Sequence, residues 1–198
     1  KPPKKQGSSP TTTKTTMRYL IGCPEWSRAA WKGSLFPPDA RPAHFLAHYS
    51  HAFSTVEGNT TFYALPRPDI VQRWRDETPA DFRFCFKFHK SISHDKRLQH
   101  THHETLHFLQ TLAPLEEKLG PFFLQLPADF GRNQLPLLQQ FIAELPREFS
   151  YAVEVRNLAY FDTRHTEQTF DETLRQHQIA RVLFDTRELM ACQHNDAS

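Results

Sequence analysis

Residues 82–89 read FRFCFKFH, and this alternation favours one α/β architecture over another. Phenylalanine stands at every second position, and Arg83, Cys85, Lys87 and His89 stand between them. Because successive side chains of a β-strand point to opposite faces of the sheet, this strand has one aromatic face and one polar or small face. A central strand of a doubly wound sheet is expected to be apolar on both faces. The alternation therefore favours a barrel, with the aromatic face against helices and the polar face toward the lumen.

Five short apolar runs, each carrying a polar residue at or near its end, recur at the interval of a βα repeat. The runs are residues 54–59, 82–87, 122–125, 151–156 and 182–185, and their polar residues are Glu57, Lys87, Gln125, Glu154 and Asp185. These polar residues are 30, 38, 29 and 31 positions apart. A strand, a helix and two loops take roughly 30 residues, so the spacing predicts successive parallel strands. Residues 18–21 are predicted as one further strand before them.

Apolar residues three and four positions apart predict a helix between successive strands. The stripes are Phe45, Leu46, Tyr49 and Phe53; Ile70, Val71 and Trp74; Leu106, Leu109 and Leu112; Leu137, Leu138, Phe141, Ile142 and Leu145; and Phe170 with Leu174. Strands that alternate with helices in this way predict an α/β fold with a parallel sheet. We interpret the chain as a TIM-type (β/α) barrel with about six of its eight βα units, since a complete barrel takes about 250 residues. An open doubly wound parallel sheet is the alternative.

The net charge of +2 comes from one end of the chain. Residues 1–16 contain four lysines, no acid and no large apolar residue, so we predict a disordered basic leader. Residues 17–198, the predicted barrel domain, contain 20 Lys and Arg against 22 Asp and Glu. The charge of this domain therefore gives no support for a nucleic-acid partner.

The composition also bears on the cellular compartment and on cofactors. The three cysteines form no CxxC pair, and no apolar stretch approaches the ~20 residues of a membrane span. These features predict a cytoplasmic protein without a membrane partner. The six glycines form neither a GxGxxG motif nor a Walker loop, so the nucleotide-binding version of a doubly wound sheet lacks its motif.

Several motifs resemble the YecE-like family of unknown function (DUF72), in order and at the family's spacing. They are IGCPEWS at residues 21–27 with Trp31, FSTVEGNTTFY at 53–63, DFRFCFK at 81–87 with ISH at 92–94, LGP at 119–121 through QLP at 125–127 with Phe130, YAVEVR at 151–156, and DT at 185–186. The resemblance implies a TIM-type barrel. Because the family continues through two further βα units, it also implies that this chain lacks strands seven and eight. The family has no established activity, so the resemblance implies a fold and a pocket but identifies no reaction.

The polar residues of the predicted strands should converge at one end of the sheet. Strand alternation places Glu57 with Asn59, Lys87 with His89, and Glu154 with Arg156 on common faces. Gln125 and Asp185 join them at their own strand ends. Barrel enzymes place their catalytic groups at the carboxyl ends of the strands, so we expect the site there.

The residue types at this edge suit acid/base chemistry on a small polar, anionic substrate. We predict Glu57, Lys87, Glu154 and Asp185 as catalytic residues, because opposite charges nearby push pKa values apart. Substrate-binding residues are predicted to be Trp26, Asn59, Tyr63, His89, Gln125 and Arg156. In the alternative interpretation these charges pair with one another in the lumen, and the chain is a non-catalytic binding module for a nucleotide, sugar or nucleic-acid phosphate.

Two metal hypotheses are less favoured, and no metal or cofactor is predicted. Glu57, Glu154, Asp185 and His89 are suitable ligands for Mn or Zn, but Lys87 and Arg156 on the same rim argue against a cation.

The second metal hypothesis is an HExxH zinc-protease motif, which residues 103–107 match with His103, Glu104 and His107. Gln110 and Ala113 occupy the places where a third histidine would follow, and the barrel interpretation puts this helix on the outer ring.

Aromatic residues and a cysteine follow the first two predicted strands. Trp26, Trp31, Phe62 and Tyr63 could stack on a sugar or base at the mouth of the pocket, or could serve ordinary loop packing. Cys23 ends the first predicted strand, but no histidine is adjacent in sequence to activate it, so we interpret it as an inert small residue.

Overall fold

A parallel sheet of five strands, paired in the order of the sequence, organises the protein. The structure is a computed structural model that describes residues 17–161 and 163–184. The strands are β1 (Thr55–Gly58), β2 (Arg83–Lys87), β3 (Leu119–Gln125), β4 (Tyr151–Glu154) and β5 (Ala180–Arg181). Every pairing between neighbouring strands is parallel. The predicted α/β class and parallel sheet are therefore confirmed, and within the described residues the sheet is open.

Helices precede and connect the strands at the predicted apolar stripes. They are α1 (Phe45–Ala52), α2 (Pro68–Glu77), α3 (His102–Leu112), α4 (Leu135–Ala143) and α5 (Arg164–Gln176). Strands that each pair with the next in sequence, joined by right-handed crossovers, carry their helices to one face of the sheet. No helix in the described ranges is long and apolar enough to cross a bilayer.

The segment predicted as the first strand runs beside β1 without forming a regular strand. The backbone amides of Ser54 and Thr55 donate to the Ile21 carbonyl at 3.1 and 3.3 Å, and the Glu57 amide donates to the Cys23 carbonyl at 3.1 Å. The backbones approach so closely that a Cβ on Gly22 would lie 1.9 Å from the Thr55 carbonyl oxygen. The prediction of a regular strand at residues 18–21 was wrong, because within this range only the Ile21 carbonyl accepts from the β1 backbone, and the Ile21 amide donates to the Ser54 hydroxyl instead.

The last predicted strand is also displaced. The pairing with β4 involves Ala180 and Arg181, and the Val182 amide donates to the Val153 carbonyl at 2.9 Å. The sheet pairing thus begins before the predicted run of residues 182–185 and reaches only its first member. Asp185 lies outside the described residues.

Strand β3 begins three residues earlier than the apolar run predicts, and it contains an irregularity. Phe84 pairs with Leu119 and Phe86 pairs with Phe122, so one extra residue of β3 is accommodated as a bulge. The bulge contains Gly120, on which a Cβ would lie 2.8 Å from the Phe84 carbonyl oxygen. It also contains Pro121, which has no amide to donate and is tolerated in strands at such irregularities.

The aromatic face of β2 packs against the helices, as its alternation predicts. Phe84 and Phe86 are fully buried, and the Trp74 ring of α2 stacks on both, with centroid distances of 6.1 and 5.8 Å. Further along the same face, Phe108 of α3 lies 5.4 Å from Phe122 of β3. This aromatic layer fixes the helix side of the sheet and leaves the opposite face for the polar residues.

The HExxH segment lies on α3, on the side turned away from the core. Thr105, Phe108 and Leu109 are buried, whereas His103 and His107 are exposed. Glu104 forms an ion pair with Lys96, and this hydrogen bond lowers the pKa of the Glu104 carboxyl. A glutamate that is already paired with a lysine is a poor general base, so the local structure does not favour the zinc-protease hypothesis.

Changing Trp74 to Ala should destabilise the fold by about 3–5 kcal/mol, because it removes the ring that packs on two strand phenylalanines. The free energy of unfolding from urea titration measures this. Leu158→Ala is the control, since Leu158 is 74% exposed and its loss should change stability by no more than about 0.5 kcal/mol. Similar losses from the two changes would contradict the packing described here.

Changing His103 and His107 together to Ala should leave the melting temperature nearly unaltered, because exposed helix positions usually contribute within about ±0.5 kcal/mol. Elemental analysis of the purified protein should find no stoichiometric zinc. Zinc bound at one equivalent in the unaltered chain and lost in the double variant would restore the protease hypothesis.

Candidate functional site

A cavity of about 610 Å³ lies on the sheet face opposite the helices, at the carboxyl ends of the strands. Parallel strands end at the same edge, so their last side chains on this face are neighbours. The register sets Gln125 directly beside Glu154, and Glu57 beside Cys85. Seven of the predicted site residues line the cavity: Glu57, Asn59, Tyr63, Lys87, Gln125, Glu154 and Arg156.

Glu154 is the centre of a buried polar network in this cavity. Its side chain is 6% exposed, and its Oε1 accepts hydrogen bonds from Gln125 Nε2 at 2.9 Å and Arg156 Nε at 2.6 Å. The Arg156 guanidinium is half-exposed and also lies 4.9 Å from the centroid of the Phe184 ring. This carboxylate is therefore held in place, and it holds the two polar side chains beside it.

Lys87, by contrast, has no anionic partner among the described residues. Its Nζ lies 4.0 Å from the centroid of the Phe62 ring, a cation–π contact. Burial lowers the pKa of Lys87, and repulsion by Arg156 adds to this, against the attraction of Glu154 and Glu57. The ammonium group is thus partly desolvated, near a second cation, and free to meet an anion in the cavity.

Glu57 completes the set of charges. It is partly exposed, lines the same cavity as Lys87, and forms no ion pair or hydrogen bond through its carboxylate within the part of the chain that the structure describes. The sequence left open whether the lumen charges pair with one another. The structure gives a divided answer: Glu154 and Arg156 pair, whereas Glu57 and Lys87 do not.

Other predicted site residues serve the walls of this cavity. Asn59 Nδ2 donates to the Pro24 carbonyl at 3.3 Å, which joins the loop after β1 to the N-terminal segment. His89 lies beside the cavity and not in its lining, with Nδ1 2.8 Å from Ser91 Oγ and Nε2 3.3 Å from the Tyr63 carbonyl. Because the Ser91 amide donates to His89 Nδ1, we assign the ring proton to Nε2, where it is donated to Tyr63.

Trp26 does not share the large cavity. Its ring packs edge-on against Trp74 at 5.2 Å and Phe84 at 6.5 Å, and it lines a smaller neighbouring cavity. Trp26 therefore packs against other rings, as one sequence interpretation expects, and also lines a pocket, as the other expects. The remaining predicted catalytic residue, Asp185, is outside the described residues.

Two residues of the site were missed by the sequence analysis. Cys85 lines the cavity beside Glu57, and burial, with a smaller contribution from Glu57, raises the pKa of its thiol to about 12. The alternation of β2 could have identified its position, since Cys85 and Lys87 share a face. Cys85 is therefore a protonated, unreactive part of the wall.

His94 is the second missed residue. Its ring lies edge-on to Phe62 at 5.0 Å, on the ring that also contacts Lys87. Burial and then repulsion by Lys87 lower the pKa of His94, so its ring is neutral at neutral pH. No strand or helix periodicity points to it, because it lies in the turn after β2.

The described residues offer no group of three or more His, Cys, Asp or Glu side chains placed to hold a metal ion. Of the ligands considered from the sequence, His89 is engaged with Ser91 and Tyr63, and Glu154 with Gln125 and Arg156. The chemistry that this arrangement supports is that of charged and hydrogen-bonding side chains.

Comparison with known proteins places the chain in a family. The family model described as "Protein of unknown function DUF72" matches residues 20–196. The UPF0759 protein YecE of Escherichia coli (strain K12) is 43% identical over 178 residues, which cover 89% of this chain and 63% of that protein. The UPF0759 protein YunF of Bacillus subtilis (strain 168) is 26% identical over 143 residues, covering 69% of this chain and 51% of that protein. The chain thus spans less than two-thirds of the length of these curated relatives.

Solved structures resemble this one as well. The crystal structure of a DUF72 family protein from Thermotoga maritima MSB8 matches with a TM-score of 0.70 and 29% identity, covering 84% of this chain and 64% of that chain. A DUF72 family protein from Enterococcus faecalis V583 matches with a TM-score of 0.62 and 26% identity, covering 71% of this chain and 58% of that one. By its matched length and its identity to the relative from E. coli, this chain belongs to DUF72, a family of proteins of unknown function.

Proposed function

We propose that this chain is part of an enzyme that binds a small polar, anionic substrate in the large cavity and acts on it by acid/base chemistry. One observation carries the proposal: the Lys87 ammonium and the Glu57 carboxylate line one cavity, and neither forms an ion pair within the part of the chain that the structure describes. Burying a charge without a partner costs free energy, so such groups at a strand-end cavity are candidates for a functional site. The volume of about 610 Å³ is within the range of small-molecule sites, roughly 300–1,000 Å³.

The charges divide into binding and chemical roles. Lys87 and Arg156 supply the positive charge for the anion, and Glu154 with Gln125 positions Arg156. Glu57, whose oxygens are not engaged, is the proposed general base. The lowered pKa of Lys87 brings its ammonium closer to neutral pH, which makes it a better proton donor than an ordinary lysine.

We also propose that the sheet is an arc of a TIM-type barrel to which residues 17–198 contribute. The strand order without a reversal, the aromatic helix side and the polar cavity side support this, as does the similarity to the DUF72 structures. In such a barrel the cavity is at the rim where catalytic groups are found, and Asp185 is kept among the proposed catalytic residues from its place in the sequence alone. The free thiols of Cys23 and Cys85 suit the reducing cytoplasm, where we place the protein.

Changing Lys87 to Met should weaken the binding of inorganic phosphate at least about tenfold, because a hydrogen bond to a charged group contributes about 1.5–3 kcal/mol. Isothermal titration calorimetry of the purified chain measures this. Lys90→Met is the matched control, since it removes the same net charge from an exposed position. This change should alter the phosphate affinity little. Equal losses from both changes would mean that only the overall charge of the protein attracts phosphate.

Phosphate affinity should decrease as Lys87 loses its proton. This decrease should occur at a lower pH than it would at a site built on a lysine of ordinary pKa. An ammonium binds an anion only while it is protonated, and burial and Arg156 lower the pKa of Lys87. The variant Lys87→Arg should keep its affinity to higher pH, because a guanidinium stays protonated throughout this range. Superimposable pH profiles for the two proteins would contradict the role given to Lys87.

Changing Glu154 to Gln should destabilise the protein by about 1–2 kcal/mol, because the hydrogen bonds from Gln125 and Arg156 lose a charged acceptor. The matched change Glu57→Gln, in the same cavity, should alter stability by no more than about 0.5 kcal/mol and should strengthen phosphate binding by removing a like charge. Urea unfolding and calorimetry measure the two effects. If Glu57 proves as important to stability as Glu154, it has a structural partner and is not the free base proposed here.

A further inference from the structure

A second, smaller cavity of about 200 Å³ adjoins the large one. Three residues line both cavities: Glu57, Asn59 and Tyr63. Glu57 is in β1, and Asn59 and Tyr63 are in the segment that follows it. Together they form the wall between the two cavities.

The two compartments differ in charge. In the lining of the large cavity Lys87 and Arg156 offset the carboxylates of Glu57 and Glu154, whereas the lining of the small cavity includes Glu25 and Glu57 and no lysine or arginine. Arg28 lies 3.7 Å from Glu25, but both side chains are largely exposed, so the pair is screened by water. An anionic group is therefore repelled from the small cavity and attracted to the large one.

Two flat aromatic rings, those of Trp26 and Tyr63, line the small cavity. The Trp26 ring is held edge-on by Trp74 and Phe84, as described above. The Tyr63 ring lies edge-on to Phe62 at 5.0 Å, while its own side chain remains 71% exposed. An indole ring that is held by other rings loses little entropy when a further ring packs on it, and the exposed Tyr63 ring is accessible for stacking.

The size and polarity of this cavity select the kind of group that fits. A cavity of about 150 Å³ is enough for benzene, so about 200 Å³ accommodates one six-membered ring. Ser27 and Thr60 add hydroxyl groups to its lining, and Asn59 uses its amide nitrogen on Pro24, which leaves its carbonyl oxygen as an acceptor. An uncharged ring, either aryl or sugar, matches these walls.

We infer that the small cavity is a second subsite of the same site, and that the substrate is an uncharged ring joined to an anionic group. The ring packs between Trp26 and Tyr63, the anionic group lies by Lys87 and Arg156, and the linkage passes Glu57. The inference rests on the proposed function, since the anionic group is bound as described there. It makes Tyr63 and Trp26 residues that determine specificity for the ring.

The test compares three probes on the purified chain by calorimetry: inorganic phosphate, phenyl phosphate and glucose 1-phosphate. At least one ring-bearing ester should bind about tenfold more tightly than inorganic phosphate, since stacking on one aromatic side chain is worth about 1–3 kcal/mol. A preference for phenyl phosphate identifies an aryl subsite, and a preference for glucose 1-phosphate identifies a sugar subsite; either supports the inference.

The variant Tyr63→Ala should remove most of that preference, measured as the ratio of the ester affinity to the inorganic phosphate affinity of the same variant. Tyr19→Ala is the matched control, since Tyr19 is 79% exposed and lines neither cavity. A second variant, Thr60→Trp, fills the small cavity from an exposed position and should exclude both esters without affecting inorganic phosphate.

Equal affinity for the three probes, or a preference that survives both Tyr63→Ala and Thr60→Trp, would overturn the inference and leave the proposed function standing. Failure of inorganic phosphate itself to bind, or binding that does not depend on Lys87, would instead count against the proposed function, and the inference would fall with it.

Discussion

The pleat of β2 is the constraint on which both the core and the candidate site depend. Phe84 and Phe86 can pack under Trp74 only if Cys85 and Lys87 point the other way, because successive side chains of a strand alternate. The aromatic layer fixes the strand in the core, and the same backbone thereby aims a lysine into a cavity where it has no counter-ion in the described structure. The packing of the aromatic layer therefore stabilises the strand conformation that keeps the Lys87 ammonium in the cavity.

The charged and polar side chains at the strand ends fall into two groups, one paired within the protein and one without an ionic partner among the described residues. Glu154, Gln125 and Arg156 satisfy one another, so they rigidify one wall of the cavity whether or not a ligand is present. Lys87 and Glu57 are left for solvent or ligand among the described residues, and the Lys87 ammonium lies on an aromatic face. Pre-organised dipoles beside unsatisfied charges are the arrangement that binding sites use, because no rearrangement is needed when the ligand arrives.

The sequence predicts most of this architecture because strands and helices have fixed periods. Period two places Glu57, Lys87 and Glu154 on one face, and apolar stripes place all the helices. It does not predict the irregular pairing of residues 18–21, because an apolar run does not show how many of its backbone groups join the sheet. Phe62 and His94 were not assigned to the contact with Lys87 because both lie in turns, where no period applies. Which carboxylate is paired depends on side-chain conformation in three dimensions.

The bulge in β3 has a consequence for every residue that follows it. Without the extra residue, the strand would slip by one position, and Gln125 would turn toward the helices while Leu124 turned toward water. Glu154 would then lose the amide that orients it, and Arg156 would be paired with a less firmly held carboxylate. The extra residue at Gly120 and Pro121 thus shifts the register of β3 by one position. This shift lets the strand turn its apolar side chains toward the helices and Gln125 toward the cavity.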